Sequence, residues 1–126
     1  MEFDVAIVGF GPVGALLANL LGVRGVRTVV IEREREVYRL PRAVHFDHEV
    51  MRMLQSVGLA EACMDATAPI RGYEFLNADK QMLFYFDMKQ EPTSQGWQPD
   101  YMFHQPSLEA CIRDAASSRD SVEVFL

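Results

Sequence analysis

Three glycines and one carboxylate carry the first chemical signal in this chain. Gly9-Phe10-Gly11-Pro12-Val13-Gly14 stands directly behind the apolar run Val5-Ala6-Ile7-Val8, and Glu32 closes a second apolar run, Thr28-Val29-Val30-Ile31. Gly9 lets the backbone leave a strand in a tight turn, Gly11 lets it approach a pyrophosphate, and Gly14 lets the following helix pack closely on the sheet. The unpaired N–H groups and positive dipole at that helix start attract an anion without a basic side chain in the loop. A carboxylate at Glu32 accepts hydrogen bonds from both hydroxyls of an adenosine ribose and repels a 2′-phosphate. Residue types and spacing together predict a dinucleotide site.

The elements that must position these groups follow from patterning. Phe3 to Val8 reads as a strand buried on both faces, and Leu16, Leu17, Leu20, Leu21 and Val23 give the next segment an apolar helical character, with Gly25 as its stop. Thr28 to Ile31 is then a second parallel strand. From Arg33 to Arg42 the chain turns charged and irregular, and the third parallel strand that an ordinary NAD domain would place soon afterwards is missing. Asp47 instead caps a helix with Val50, Met51, Leu54 and Val57 on one face and Gly58 as its stop, and a short helical piece covers residues 60–65. Ile70 to Met88, rich in aromatic residues, reads as a β-hairpin turning at Asn77-Ala78-Asp79-Lys80. Lys89 to Asp100 reads as a long loop anchored by Trp97. Pro106 opens another amphipathic helix, with Leu108, Cys111, Ile112 and Ala115 on one face, and Ser121 to Leu126 begins a strand. The chain ends inside that strand, which leads us to expect further residues in the natural protein.

Composition narrows the class. The 126 residues are 49% hydrophobic and 24% charged, with a net charge of −6, the balance of a globular domain. The acidic balance and the lack of a basic run argue against nucleic acid and anionic membranes, leaving small molecules as the expected partners. Val5 to Val23 is nearly uncharged, but its glycines, Pro12 and acidic flank favour a buried strand and helix over a membrane span or secretory signal. Cys63 and Cys111 have no metal-ligand spacing and read as packed, reduced thiols in a cytoplasmic protein. His45, Asp47, His48 and Glu49 cluster in sequence without a zinc signature, so no metal site is expected.

Three separated blocks, "DVAIVGFGPVGALLANLLGVRGVRTVVIER", "LPRAVHFDHEVMRMLQSVGL" and "FHQPSLEACI", resemble the N-terminal part of FAD-dependent aromatic-ring hydroxylases, the single-component flavoprotein monooxygenases. The middle block is most similar to the 3-(3-hydroxyphenyl)propionate hydroxylase branch. The resemblance implies an α/β, Rossmann-like FAD-binding unit with an inserted hairpin from an incomplete substrate-domain sheet. Residues 1–66 and 105–126 would form the nucleotide-binding part, and 67–104 would lead toward the substrate domain. Gly9, Gly11 and Gly14 would then hold the FAD pyrophosphate, Glu32 the adenosine ribose and Arg42 the phosphates. Gln105 would reach the ribityl chain, and Arg33 would lie near the adenosine. In such enzymes NADH or NADPH reduces the flavin, and dioxygen is activated there for attack on an electron-rich phenolate ring. No catalytic base stands out; the resemblance places the segment carrying His45 and His48 beside the flavin, so either could lie near the ring to be hydroxylated, and a plain helix-start histidine is the favoured alternative. Family members continue through a second flavin motif ending in Gly-Asp. The isolated chain is therefore expected to bind FAD weakly at best, to hydroxylate nothing and to self-associate through its exposed hairpin and final strand. A different FAD- or NAD-dependent reductase or dehydrogenase, and a non-catalytic nucleotide-binding module, are the alternatives.

Overall fold

The computed structural model describes residues 2–126. The first unit is β1 (Val5–Val8), α1 (Pro12–Gly22) and β2 (Thr28–Ile31). Later come β3 (His45–Asp47), α2 (His48–Ser56), α3 (Ala60–Met64), β4 (Thr67–Pro69), β5 (Gly72–Leu76), β6 (Met82–Asp87), β7 (Asp100–Phe103), α4 (Gln105–Ser117) and β8 (Val122–Phe125). The third parallel strand does exist, but it comes from the far end of the chain. The sheet runs in the order β1-β2-β8, with Ile7 beside Val30 and Val30 beside Val124.

Both long helices pack on one face of this sheet. Ala15, Ala18 and Asn19 are small enough to bring α1 close to α4, and the buried Asn19 amide donates to the carbonyls of Ala15 (2.9 Å) and Ile112 (2.8 Å). A polar residue thus locks the helix pair without leaving a buried donor unpaired. The expectation that β1 is buried on both faces fails. The strand begins at Val5, and Val8 is 86% exposed while Ile31 is 49% exposed. Only the row containing Ile7 and Val30 faces helices, and among the described residues no second layer covers the other face.

A second, antiparallel sheet of order β3-β7-β4 was not legible in the sequence. It joins residues on both sides of the division at 66/67. Its inward row, Phe46 and Tyr101, packs with Phe103 at ring separations of 5.7 and 5.1 Å from Phe46. This aromatic layer shares one core with Met51, Leu54, Leu108 and Ile112. Asp47 caps α2 as its type and place suggest, accepting from the N–H groups of Glu49 (3.0 Å) and Val50 (3.2 Å). Cys63 and Cys111 are free thiols with their sulfurs 3.5 Å apart, and burial pushes the Cys63 thiol up to about 12.

The hairpin forms where expected. Asn77 Oδ1 accepts from the N–H groups of Asp79 (2.9 Å) and Gln81 (2.8 Å), closing the turn. Phe75 stacks on Phe84 at 4.2 Å, yet Leu83, Phe84 and Phe86 each remain more than half exposed. The following loop is pinned to α2 by the Trp97 indole N–H, which donates to Gln55 Oε1 at 3.1 Å.

Candidate cofactor site

The glycine loop has the geometry of a phosphate cradle. Gly9 has φ +101°, and its N–H donates to the Ile31 carbonyl at 2.8 Å, which ties the turn to the end of β2. A Cβ at Gly14 would lie 2.0 Å from the Gly9 carbonyl oxygen, so only glycine lets α1 start this close to β1. A Cβ at Gly11 would meet nothing within 4 Å and would project into the open space in front of the helix. No side chain caps that helix start, which leaves its N–H groups available to an anion.

Glu32 sits beside this loop. Its Oε2 accepts from the Phe10 N–H at 2.7 Å and its Oε1 from the Glu34 N–H at 2.8 Å. The Glu34 N–H, followed by that of Phe10, holds the carboxyl below the usual glutamate range. The group is therefore an ionised acceptor at neutral pH.

Gln105 opens α4 and is buried. Its Oε1 accepts from the backbone N–H groups of Arg42 (2.7 Å) and Ala43 (2.9 Å), and its amide donates to Glu109 Oε2 at 3.4 Å. The glutamine thus fixes the backbone of the segment that carries Arg42. The Arg42 side chain is exposed and lies over the Tyr38 ring at 5.1 Å. Arg33 is also exposed, with its guanidinium 2.9 Å from Glu34. The structure therefore brings the glycines and Glu32 together and joins Gln105 to Arg42 through the backbone, while both arginine side chains extend into solvent.

Two residues escaped sequence reasoning. Glu109 and Arg113 are buried one and two turns beyond Gln105 on the same helix face, with Arg113 Nη1 3.6 Å from Glu109 Oε1. Arg113 also lies 4.8 Å over the Phe10 ring and donates to the Glu34 carbonyl at 3.4 Å. Its positive charge is one of the influences that favour the Glu32 carboxylate. The i, i+4 spacing of Glu109 and Arg113 was visible, but such pairs usually lie on solvated faces. Phe10, Arg35, Val37, Ala110, Arg113 and Val124 line an adjoining cleft of about 430 Å³. Residues capable of holding FAD are thus present: an open glycine cradle for the pyrophosphate and an ionised acceptor for the ribose. Among the described residues, no group of three His, Cys, Asp or Glu side chains is placed to hold a metal ion. No helix among them is long and apolar enough to cross a membrane.

Comparison with known proteins agrees with this geometry. The sequence profile described as FAD binding domain matches residues 2–126. The chain is 43% identical over 121 residues to a probable NADH-specific resorcinol 4-hydroxylase of Rhodococcus jostii, covering 96% of this chain and 23% of that protein. It is 36% identical over 126 residues to 3-(3-hydroxy-phenyl)propionate/3-hydroxycinnamic acid hydroxylase 1 of Burkholderia vietnamiensis, covering 100% of this chain and 20% of that protein. The chain thus spans about a fifth of the length of these curated relatives. Among solved structures, p-nitrophenol 4-monooxygenase PnpA of Pseudomonas putida DLL-E4 superposes with a TM-score of 0.85 at 26% identity, over 99% of this chain and 31% of that one. Profile and superposition agree, and this chain belongs to the FAD binding domain family.

Proposed function

We propose that this chain is the N-terminal FAD-binding part of a cytoplasmic flavoprotein monooxygenase that hydroxylates a phenolic or aromatic acid, with NADH or NADPH as reductant and dioxygen as co-substrate. One observation carries the reading: the chain matches aromatic hydroxylases along nearly its whole length while keeping the open cradle at Gly11 and the ionised acceptor at Glu32. FAD would supply the redox chemistry when bound, and the protein would supply position, polarity and exclusion of water.

In this reading the N–H groups following Gly11 take the pyrophosphate and Glu32 takes the ribose hydroxyls, exchanging the Phe10 N–H for a ligand hydroxyl. Arg42 reaches the phosphates from a backbone that Gln105 holds, Gln105 approaches the ribityl chain, and Arg33 lies near the adenosine. Residues 67–104 lead toward the substrate, and the exposed aromatic hairpin packs against the rest of the enzyme. The isolated chain binds FAD weakly, catalyses no hydroxylation and self-associates through that hairpin.

The test is FAD titration of the full-length gene product, followed by NADH oxidation with resorcinol or 3-(3-hydroxyphenyl)propionate. A yellow protein that forms hydroxylated product in step with NADH consumption is expected. A full-length product that binds FAD but hydroxylates neither these nor other phenols would refute the hydroxylase reading, and one that binds no FAD would refute the cofactor assignment.

A further inference from the structure

A histidine, a carboxylate and a tyrosine from three different strands meet on the outer face of the β3-β7-β4 sheet. In the β3-β7 register Phe46 pairs with Tyr101, and both point into the core. His45 and Asp100 therefore point the other way. His45 Nε2 faces Asp100 Oδ1, with the imidazole 45% exposed and the carboxylate only 13% exposed. The Tyr73 hydroxyl on β5 donates to Asp100 Oδ2 at 2.9 Å, and its ring meets the imidazole edge-on at 6.1 Å. A half-exposed imidazole backed by a nearly buried carboxylate, itself fixed by a third group, is the arrangement that makes histidine an oriented base.

We propose that His45 is the base that takes the proton from the phenolic hydroxyl of the aromatic substrate, with Asp100 and Tyr73 as its positioning residues. The inference rests on the hydroxylase reading above. The Asp100 carboxylate faces Nε2, which leaves Nδ1 as the ring nitrogen that can accept a proton. In the step the phenolic O–H bond breaks, its electron pair stays on oxygen, and an Nδ1–H bond forms. The resulting imidazolium is stabilised by the Asp100 carboxylate and releases the proton to water through its exposed edge. Phenolate is the form whose ring is electron-rich enough for hydroxylation.

Only two residues separate His45 from Arg42, whose backbone Gln105 holds, so an extended chain of about 10 Å joins it to the candidate cofactor site. The charged and titratable groups around the imidazole are Asp100 from β7, Tyr73 from β5 and Asp47 on its own strand, the last engaged in capping α2. Burial, and then the bond to Asp100, push the Tyr73 hydroxyl up to about 12, so it remains a donor to the carboxylate throughout the neutral range.

The experiment measures ionisation of resorcinol bound to the full-length FAD-loaded protein, read from the red-shifted phenolate absorbance across pH, in wild type, His45→Gln, Asp100→Asn and His48→Gln. In His45→Gln bound resorcinol should ionise at a pH higher by about one unit or more, with hydroxylation at neutral pH falling about 100-fold and recovering as the phenol ionises by itself. Asp100→Asn should move the ionisation of bound resorcinol in the same direction as His45→Gln, by a smaller amount. His48→Gln should titrate bound resorcinol as wild type does. Unchanged ionisation of bound resorcinol in His45→Gln, or a rate loss equal at every pH, would overturn the assignment and leave the hydroxylase reading intact. A protein that binds FAD but hydroxylates no phenol would overturn both.

Discussion

Replacing Gly14 and Gly11 by alanine, one at a time, separates what the glycine loop does for the fold from what it does for the ligand. At Gly14 the new methyl would sit 2.0 Å from the Gly9 carbonyl oxygen, 3.1 Å from the Gly9 carbonyl carbon and 3.3 Å from Ile7 Cγ2. The closest of these is backbone, already fixed by the bond from Gly9 N–H to Ile31. It cannot swing aside as a side chain would, so α1 and β1 must part by more than an ångström. Overpacking of this kind costs at least about 3 kcal/mol, and it also shifts the N–H groups that face the phosphates. At Gly11 the methyl would meet no protein atom within 4 Å, and φ is −68°, which any residue adopts. Gly11→Ala should therefore cost no more than about 1 kcal/mol, the N-cap preference for glycine over alanine. The methyl instead occupies the space a pyrophosphate needs, and losing one or two charge-assisted bonds there weakens FAD binding by about 10- to 100-fold. Urea denaturation of the chain reads the first quantity, and flavin fluorescence titration of the full-length product reads the second. The reasoning is refuted if Gly11→Ala is as destabilising as Gly14→Ala, or if Gly11→Ala binds FAD as wild type does.

Glu32→Gln keeps the shape of the side chain and removes its charge, and it should cost about 1 kcal/mol at neutral pH together with at least a tenfold loss in FAD affinity. Because the folded-state acidity of Glu32 lies below the usual glutamate value, its stabilising contribution is fully present above that value and is lost as pH falls through the lowered one. Urea midpoints of wild type and Glu32→Gln should therefore differ at pH 7 and converge only as pH falls through the lowered folded-state value; a constant gap at all pH values would contradict the assignment. Arg113→Met should destabilise by about 3 kcal/mol because it leaves the buried Glu109 carboxylate without its cation, and the double variant Glu109→Met/Arg113→Met should recover much of that loss in the same assay.

What was legible in the sequence depended on whether a single side chain or a short local pattern determined the outcome. Gly9, Gly14, the Asp47 cap and the Asn77 turn each act within a few residues, and each stands where its type and spacing place it. The β3-β7-β4 sheet was not legible because its strands are three or four residues long, too short to show alternation, and their partners lie far apart in the chain. The expectation of a doubly buried β1 failed for a related reason. An apolar run reports the environment for which a strand is suited, and Val8 and Ile31 are apolar although no described layer covers them. Glu32 and Gln105 were singled out as candidates by type and place, but the atoms they bond were not legible. Gln105 and Glu32 both accept from backbone N–H groups, which are present at every non-proline position and so leave no mark in composition.

The buried face of α4 explains how the irregular excursion between β2 and β3 is held so that the candidate ligand-binding groups meet at one site. Gln105 grips the excursion near its end at Arg42 and Ala43, while Arg113 grips its beginning at Glu34 and covers Phe10 of the glycine loop. Glu109 joins the two, accepting from Gln105 and pairing with Arg113. Helical periodicity places these residues one turn apart on a single face, so one rigid element sets both ends of the excursion. The buried charges are consistent with this role: an apolar face could pack against the loop, but it could not bond the backbone groups of Glu34, Arg42 and Ala43 that fix its path. The same helix packs against α1 through Asn19. The start of α1, the Glu32 carboxylate and the Arg42 segment therefore share one frame, and displacing α4 would disturb all three parts of the site together.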